Sequence, residues 1–221
     1  MSLHLQRDLD LLKKEVLQLG GMVESSINKA LVALSERRPE LIEEVLQDEI
    51  QIDLQEVSIE ESCLKVLALH QPVAVDLRFI VVVLKVNNDL ERMGDFAVNV
   101  AKRAKELCKQ DPIPCPAEFS DVMPQTIRTM VQDSLTALVK FDVEIARDVI
   151  QMDDVVDKVN RLMYKELKAL MVRDSSTVER AVGLLSCSRY LERIADLTTN
   201  IAEDVIFMVE GEVVRHQTTG L

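Results

Sequence analysis

The ten-residue segment LERMGDFAVN (residues 90–99) returns with few changes as LERIADLTTN (residues 191–200). Both copies begin with L-E-R, place an Asp four residues after the Glu, and end in Asn, at a constant offset of 101 residues. A repeated phrase of this length indicates an internal duplication. The chain is therefore expected to contain two similar halves.

Both copies lie within stretches of helical spacing. Apolar side chains recur every three or four positions through most of the chain, which predicts amphipathic helices. The predicted helices span residues 3–35, 40–70, 74–109, 119–140, 143–172 and 177–210. The composition agrees, because 48% of the residues are hydrophobic but only 3% are aromatic, as in helical bundles. The one β-like run, residues 79–84, is flanked by helical pattern, so the sequence predicts an all-α protein.

Proline and capping residues mark the predicted helix ends. Pro72 should end the second helix, since proline disfavours helical geometry in the residue before it. Pro39 suits the first position of that same helix. Asp142 is a plausible N-cap for the fifth helix, and Ser176 for the sixth.

A proline-rich segment, residues 111–116, cannot continue a helix and divides the chain in the middle. On either side of it the turns are short, which makes consecutive helices antiparallel neighbours. The sequence thus predicts two tandem, pseudo-symmetric antiparallel three-helix bundles. The first covers residues 1–110, the second covers residues 119–215, and residues 111–118 form the linker.

Four acidic pairs with i,i+4 spacing lie in these helices, and two of them belong to the repeated phrase. On a helix, the two carboxylates of such a pair share one face. The pairs are Glu49/Asp53, Glu91/Asp95, Asp153/Asp157 and Glu192/Asp196.

Within each half, the two acidic pairs are equidistant from a predicted turn. Pro72 is the midpoint in the first half, and the midpoint in the second lies between Asp174 and Ser175. Each hairpin should therefore set four carboxylates at one level, roughly 30 Å from its turn. Facing carboxylates repel one another, and a hard cation such as Mg²⁺, Ca²⁺, Mn²⁺ or iron removes the conflict. A metal site in each half is predicted.

The charge balance argues against several other functions. A formal net charge of −12 disfavours nucleic-acid binding through a basic surface and favours cations or a basic partner. The four cysteines have no CxxC spacing, so a thiolate zinc site is not expected. The first fourteen residues lack the apolar core of a signal peptide, and no apolar run is long enough for membrane insertion. A cytoplasmic location is expected, and a homodimer remains an open alternative.

The sequence contains no recognisable catalytic motif. No nucleophile–base pair, glycine-rich phosphate loop or Cys/His dyad can be placed, which favours a non-enzymatic protein. Two alternatives stay open. One is a metal-dependent helical-bundle enzyme, redox or hydrolytic. The other is a metal-free structural interaction module, since isolated acidic pairs also arise on solvated helix faces.

The repeated phrase, together with QPVAVDLR (residues 71–78) and NIAEDVIFMVEGE (residues 200–212), resembles the PhoU family of phosphate-uptake regulators. The similarity covers essentially the whole chain. It implies two three-helix bundles and an E(D)xxxD motif that holds iron, zinc, manganese or magnesium. Carried over to this sequence, those motifs fall on the four acidic pairs named above.

The resemblance also implies a function. Family members are negative regulators that connect the phosphate ABC transporter to a sensor histidine kinase, and they keep the phosphate-starvation response off when phosphate is plentiful. One position departs from the family. Leu197 stands where relatives often carry a histidine after the second aspartate, so the second site is expected to be weaker if that histidine tunes the metal.

Overall fold

The computed structural model describes residues 3–211, so the last residues of the predicted second bundle, up to 215, lie outside the described part. It contains six long helices and, within residues 3–211, no β-strand. The helices are α1 (Leu3–Ser35), α2 (Leu41–His70), α3 (Ala74–Leu107), α4 (Ala117–Lys140), α5 (Val143–Arg173) and α6 (Val178–Glu210). The all-α prediction is confirmed, and every predicted helix boundary lies within two residues of the observed one.

Local chemistry explains most of these boundaries. Helix α2 ends where Gln71 adopts a left-handed conformation (φ 45°) and its N–H bonds to the Leu67 carbonyl. Pro72 follows and prevents continuation. The predicted cap at Asp142 is confirmed, because its carboxylate accepts hydrogen bonds from the Glu144 and Ile145 N–H groups at 3.1 Å each.

Two predicted boundary roles are wrong. Pro39 is not the first residue of α2, which begins two residues later at Leu41. Ser176 does not cap α6 but lies inside a short 3₁₀ turn, Ser175–Thr177. Asp174 caps that turn by accepting a hydrogen bond from the Ser176 N–H at 2.9 Å. An aspartate before the turn thus does what the serine was expected to do, since its carboxylate is the stronger acceptor.

Each half is an antiparallel three-helix bundle, formed by α1, α2 and α3 in the first half and by α4, α5 and α6 in the second. The predicted pseudo-symmetric pair of bundles is confirmed. Helix α3 is buried on several sides, since residues such as Ile80, Val83, Val86 and Leu90 are inaccessible to solvent. The reason is that α3 packs against α1, α2 and also α6.

The two bundles pack along their third helices, which the sequence pattern did not predict. Phe96 on α3 stacks on Tyr190 on α6 with ring centroids 6.1 Å apart. A Cβ added to Gly183 would lie 3.1 Å from the Leu107 side chain, so the helices approach closely there. Buried side chains of both halves form one continuous hydrophobic core. The two bundles therefore form a single packed unit and are not independent domains joined by a linker.

Two arginines hold the end of α3 and the start of the linker. Arg37, after α1, donates hydrogen bonds to the carbonyls of Leu107, Cys108 and Gln110. Arg180 on α6 donates to the carbonyl of Asp111 at 3.1 Å. None of the helices described between residues 3 and 211 is both long and apolar enough to cross a bilayer.

Candidate metal centres

The hairpin register brings the acidic pairs of each half to the same level. In the first half, α2 carries Glu49 and Asp53 while α3 carries Glu91 and Asp95. These helices are antiparallel neighbours joined by the turn at residues 71–73, so the pairs lie beside one another across the helix interface. Helices α5 and α6 repeat the arrangement in the second half.

Electrostatic coupling shows the proximity in the first half. Partial burial raises the pKa of Glu49, and the charges of Asp95 and Asp53 raise it further, while Lys102 opposes the rise. Partial burial likewise raises the pKa of Glu91, with additions from Asp95 and Asp53. Each glutamate is thus coupled to the aspartate of the other helix's pair, as carboxylates near a shared cation site would be.

Coupling is stronger in the second half. Burial raises the pKa of Asp153 from 3.8 to about 6, and the charges of Asp196, Asp157 and Glu192 add to the rise. Burial also raises the pKa values of Glu192 and Asp196, to which Asp157 contributes in both cases. All four side chains are half-buried, whereas Asp53 and Asp95 in the first half are exposed.

Unpaired buried oxygens also occur in the second half. Asp153 Oδ1 and Glu192 Oε2 are shielded from solvent and have no hydrogen-bond partner. A buried carboxylate oxygen without a donor is costly, and a bound hard cation would satisfy it. The donor set therefore fits a divalent cation chemically. As the side chains stand, no group of three or more His, Cys, Asp or Glu residues within residues 3–211 is gathered closely enough to hold a metal ion.

Arginines neutralise part of the second-half cluster, and the sequence argument had overlooked two of them. Arg161 lies 2.8 Å from Asp157, and Arg189 lies 3.0 Å from Glu192. Arg161 lies four residues after Asp157 and Arg189 three residues before Glu192, and this helical spacing could have predicted both ion pairs. Arg193, which follows a motif glutamate, lies 3.7 Å from Asp196.

The first half lacks this neutralisation. Val57 and Asn88 occupy the positions that correspond to Arg161 and Arg189. Arg92, the counterpart of Arg193, lies 3.7 Å from Asp89, which is not one of the four predicted ligands. The two clusters therefore differ. In the first, the two aspartates are exposed and none of the four carboxylates forms an ion pair with an arginine within residues 3–211, whereas the second is more buried and partly neutralised.

A close helix approach lies at the level of the first cluster. Gly94, between Glu91 and Asp95, faces the fully buried Ile52, and an added Cβ would lie 3.2 Å from Ile52 Cδ1. The second half has Ala195 and Val156 at these positions. Ala195 is larger than its counterpart Gly94, and Val156 is smaller than its counterpart Ile52. The combined side-chain volume at this contact is therefore similar in the two hairpins.

Leu197, the residue that departs from the resemblance, is buried at 3% exposure and belongs to the hydrophobic core. The weaker second site that it suggested stays a prediction. A cavity of about 180 Å³ with mostly apolar walls lies elsewhere, between the bundles beneath the linker. None of the eight predicted ligands lines it.

A family model described as the PhoU domain matches residues 16–104 and again residues 121–205. The chain belongs to the PhoU family. The two matches coincide with the two bundles, so the internal duplication seen in the repeated phrase is a duplication of the PhoU domain. The resemblance inferred from the sequence is thereby confirmed.

Relatives in this family are similar along nearly their whole length. The chain is 39% identical to a phosphate-specific transport system accessory protein PhoU homolog of Aquifex aeolicus, over 96% of this chain and 95% of the relative. It is 31% identical to the phosphate-specific transport system accessory protein PhoU of Escherichia coli K12, over 95% of this chain and 86% of the relative.

Solved PhoU structures share the fold. The crystal structure of PhoU from Pseudomonas aeruginosa superposes with a TM-score of 0.90 at 36% identity, covering 94% of this chain and 99% of that one. The phosphate transport system regulatory protein PhoU from Streptococcus pneumoniae gives a TM-score of 0.86 at 29% identity, covering 95% and 99%. The pairing of the bundles is therefore common to these PhoU proteins.

Proposed function

We propose that this PhoU protein is a metal-binding negative regulator of phosphate uptake and phosphate-starvation signalling. It acts in the cytoplasm by contact with the phosphate ABC transporter and with a sensor histidine kinase, and it catalyses no reaction. The observation that carries the regulatory role is the match of both halves to the PhoU domain. The names of the relatives, accessory or regulatory proteins of phosphate transport, support it.

The metal-binding part of the proposal rests on the acidic clusters. Glu49, Asp53, Glu91 and Asp95 would hold one centre, and the corresponding carboxylates of the second half would hold the other. Iron, zinc, manganese or magnesium would supply the positive charge that the facing carboxylates lack. The orphaned oxygens of Asp153 and Glu192 support a ligand role for the second set.

The role of these side chains in the proposal is structural. The acidic rows border the core at the α2–α3 and α5–α6 interfaces, so neutralising them would fix the spacing of each hairpin. Helix positions on the outer surface would then be presented to partners in one arrangement. No separate general acid or base accompanies the carboxylates, which is why bracing is favoured over catalysis.

Gene replacement in E. coli tests the regulatory role. The gene for the E. coli relative would be exchanged for one encoding this chain, and a reporter of the phosphate-starvation response would be read in phosphate-rich medium. We expect a low signal with this chain and a high signal with an empty vector. Equal, high signals would contradict the proposed regulation, provided that immunoblots show the chain at comparable levels.

The same strain can distinguish the contribution of the metal centres to repression from that of partner contact. A variant with Asp153→Asn and Asp157→Asn removes two ligands, and Glu144→Gln with Asp148→Asn is its control. The control changes an exposed i,i+4 pair on the same helix that belongs to neither cluster. We expect loss of repression in the first variant and not in the second. In both strains, crosslinking to the transporter and to the kinase would show whether contact persists.

A further inference from the structure

Helix α2 exposes an apolar stripe to solvent. Its members recur at i, i+4, i+7 and i+14, the spacing of a helix that packs against another helix. They are Ile50 (50% exposed), Leu54 (63%), Val57 (51%) and Leu64 (55%), with the exposed Glu61 lying on the same line between the last two. The stripe runs along roughly 21 Å of helix. Helix α2 contacts only α1 and α3, so nothing in the described chain covers it.

An acidic row lies directly beside this stripe. At about 100° per residue, Glu49, Asp53, Glu56 and Glu60 occupy the face between the buried side of α2 and the stripe. This is the side that faces α3, because Asp53 and Glu56 interact with Glu91 there. On the opposite flank of the stripe the side chains are mostly uncharged, as at Gln47, Gln51 and Ser58.

The second half shows that the fold does not require the stripe. Each position of α2 corresponds to the position 104 residues later in α5, and the buried pairs Ile52/Val156 and Ile59/Met163 agree. At the four stripe positions α5 has charged, exposed residues instead. They are Asp154, Lys158, Arg161 and Lys168. The same helical position in the two halves thus carries an apolar surface in one and a charged surface in the other.

We propose that the apolar stripe of α2 and its acidic row form a docking surface for a basic amphipathic helix of a partner protein. The helix would place its apolar residues on Ile50, Leu54, Val57 and Leu64 and its lysines or arginines against Glu56 and Glu60. This one-sided charge would fix the direction and register of the partner. A helix laid along an apolar seam with flanking charge pairs is a recurring mode of recognition.

Charge decides between the occupants that an apolar stripe could have. A second copy of this chain would bring two acidic rows together, which is unfavourable at a net charge of −12. An anionic membrane surface would be repelled by the same row. A basic helix gains from both the stripe and the row, so it is the complementary partner. The inference rests on the proposed action through protein contact and assigns that contact to one helix.

Peptide binding to the full-length protein tests this surface directly. The probe is a synthetic, fluorescently labelled peptide of three heptads, with leucines at the two seam positions and lysines and arginines beside them. A second peptide replaces the basic residues with glutamates. By fluorescence anisotropy, we expect the basic peptide to bind and the acidic one not to bind.

The key variant imports two residues of the second half, Leu54→Lys and Val57→Arg. Because α5 already carries Lys158 and Arg161 at these positions, the fold should tolerate them, which circular dichroism and thermal melting would verify. We expect binding of the basic peptide to weaken by more than about tenfold. The control, Val172→Lys with Val182→Arg, makes the same chemical change at exposed positions outside the stripe. It should leave binding within about twofold.

Two further variants separate the apolar and electrostatic parts. Leu54→Ser with Val57→Ser removes apolar area without adding charge, and should also weaken binding. Glu56→Gln with Glu60→Gln should weaken binding and reduce its dependence on salt. These glutamates are not among the predicted metal ligands, but Glu56 interacts with Glu91 and Asp53, so binding is measured with and without chelator to separate it from the metal centre.

Several outcomes would overturn the assignment. Equal binding by the wild type and by Leu54→Lys/Val57→Arg would place the contact elsewhere, whatever the phosphate-response strains show. Conversion of a sedimenting dimer to a monomer by that variant would assign the stripe to a second copy. Stripe-dependent binding to phosphatidylglycerol vesicles would assign it to a membrane. Tighter peptide binding after truncation at Gly211 would show that the chain's own C-terminal segment covers it.

Discussion

Lys85 Nζ lies 3.0 Å from Asp204 Oδ1 and joins α3 of one bundle to α6 of the other. The Asp204 side chain is 2% exposed, while that of Lys85 is 41% exposed. Lys85 also lies over the Phe207 ring, 5.6 Å from its centroid. The interface between the bundles is otherwise apolar at its centre, so this ion pair places a buried charge where desolvation is costly.

The two partners of this ion pair should not be equivalent under mutation. Lys85→Met leaves the Asp204 carboxylate buried without its ammonium, and should lower the free energy of unfolding by about 2–4 kcal/mol. Asp204→Asn leaves a half-exposed Lys85 that water can solvate, and should cost about 1–2 kcal/mol. Urea unfolding of the full chain measures both. A larger loss for Asp204→Asn than for Lys85→Met would contradict this account.

The contact between Gly94 and Ile52 sets the spacing of α2 and α3 at the first acidic cluster. Gly94→Ala gains helix propensity, about 1 kcal/mol, but pushes its Cβ against a buried side chain that has little room to move. We expect a net loss or no gain in the free energy of unfolding. Ile52→Val removes the Cδ1 atom that lies nearest the added methyl.

Combining these two substitutions tests the spacing argument. In the Ile52→Val background, Gly94→Ala should be more favourable than in the wild type by about 1 kcal/mol. The double variant then resembles the second half, which has Val156 and Ala195. A double-mutant cycle from denaturant unfolding measures the coupling. Additive effects would mean that this contact does not set the helix spacing.

The confirmed cap at Asp142 gives a third prediction. Asp142→Ala removes the acceptor for the Glu144 and Ile145 N–H groups and should cost about 1 kcal/mol of stability. Asp142→Asn keeps an oxygen acceptor and should lose only a few tenths of a kcal/mol. Thermal unfolding of both variants checks this. Equal losses would show that the cap acts through its charge and not through the hydrogen bonds.

The raised pKa of Asp153, about 6 against an ordinary 3.8, predicts a pH dependence in the absence of metal. Well below pH 3.8 the carboxyl is protonated in the folded and unfolded chain, so burial adds no electrostatic cost. As the pH rises from about 4 to about 6, the unfolded chain releases this proton first. The contribution of Asp153 to stability therefore falls across this window and stays unfavourable above it.

Removing the charge should reverse that contribution. In chelator at pH 7.5, Asp153→Asn should raise the free energy of unfolding by on the order of 1 kcal/mol, a value discounted because the side chain is partly exposed. The gain should disappear at about pH 3. Asp148→Asn, an exposed site on the same helix, is the matched control. A pH-independent gain at position 153 would point to packing instead of charge.

Much of the fold could be predicted because its signals are local. The turn at Pro72, the linker at residues 111–116 and the cap at Asp142 each follow from the chemistry of a few neighbouring residues. The register of the acidic pairs followed as well, since antiparallel helices with short turns leave little freedom. The packing of α3 on α6 could not be predicted. An apolar helix face indicates that the face is buried, but it does not identify the element that covers it.

Other features depended on which of two competing interactions prevailed. Pro124 lies inside α4, within the predicted helix over residues 119–140, although a proline normally breaks a helix, and it is buried in the second half. Tertiary packing thus overrides local preference there. Asp174 supplied a cap that Ser176 was expected to provide. The asymmetry of the two acidic clusters depends on Arg161 and Arg189, whose pairing becomes evident only when i,i+3 and i,i+4 neighbours are checked systematically.

The central claim, that both halves hold a metal ion through these carboxylates, is tested most directly by scanning calorimetry of the chelator-treated chain with and without Mn²⁺, alongside elemental analysis. At 100-fold excess over the dissociation constant, binding adds about 2.7 kcal/mol per site, so Tm should rise by about 5–10 °C for one occupied site and by about twice that for two. The rise should vanish when Asp53, Asp95, Asp153 and Asp196 are changed to asparagine, and persist in Glu144→Gln/Asp148→Asn. The same Tm with and without Mn²⁺, and no metal in the purified protein, would contradict the claim.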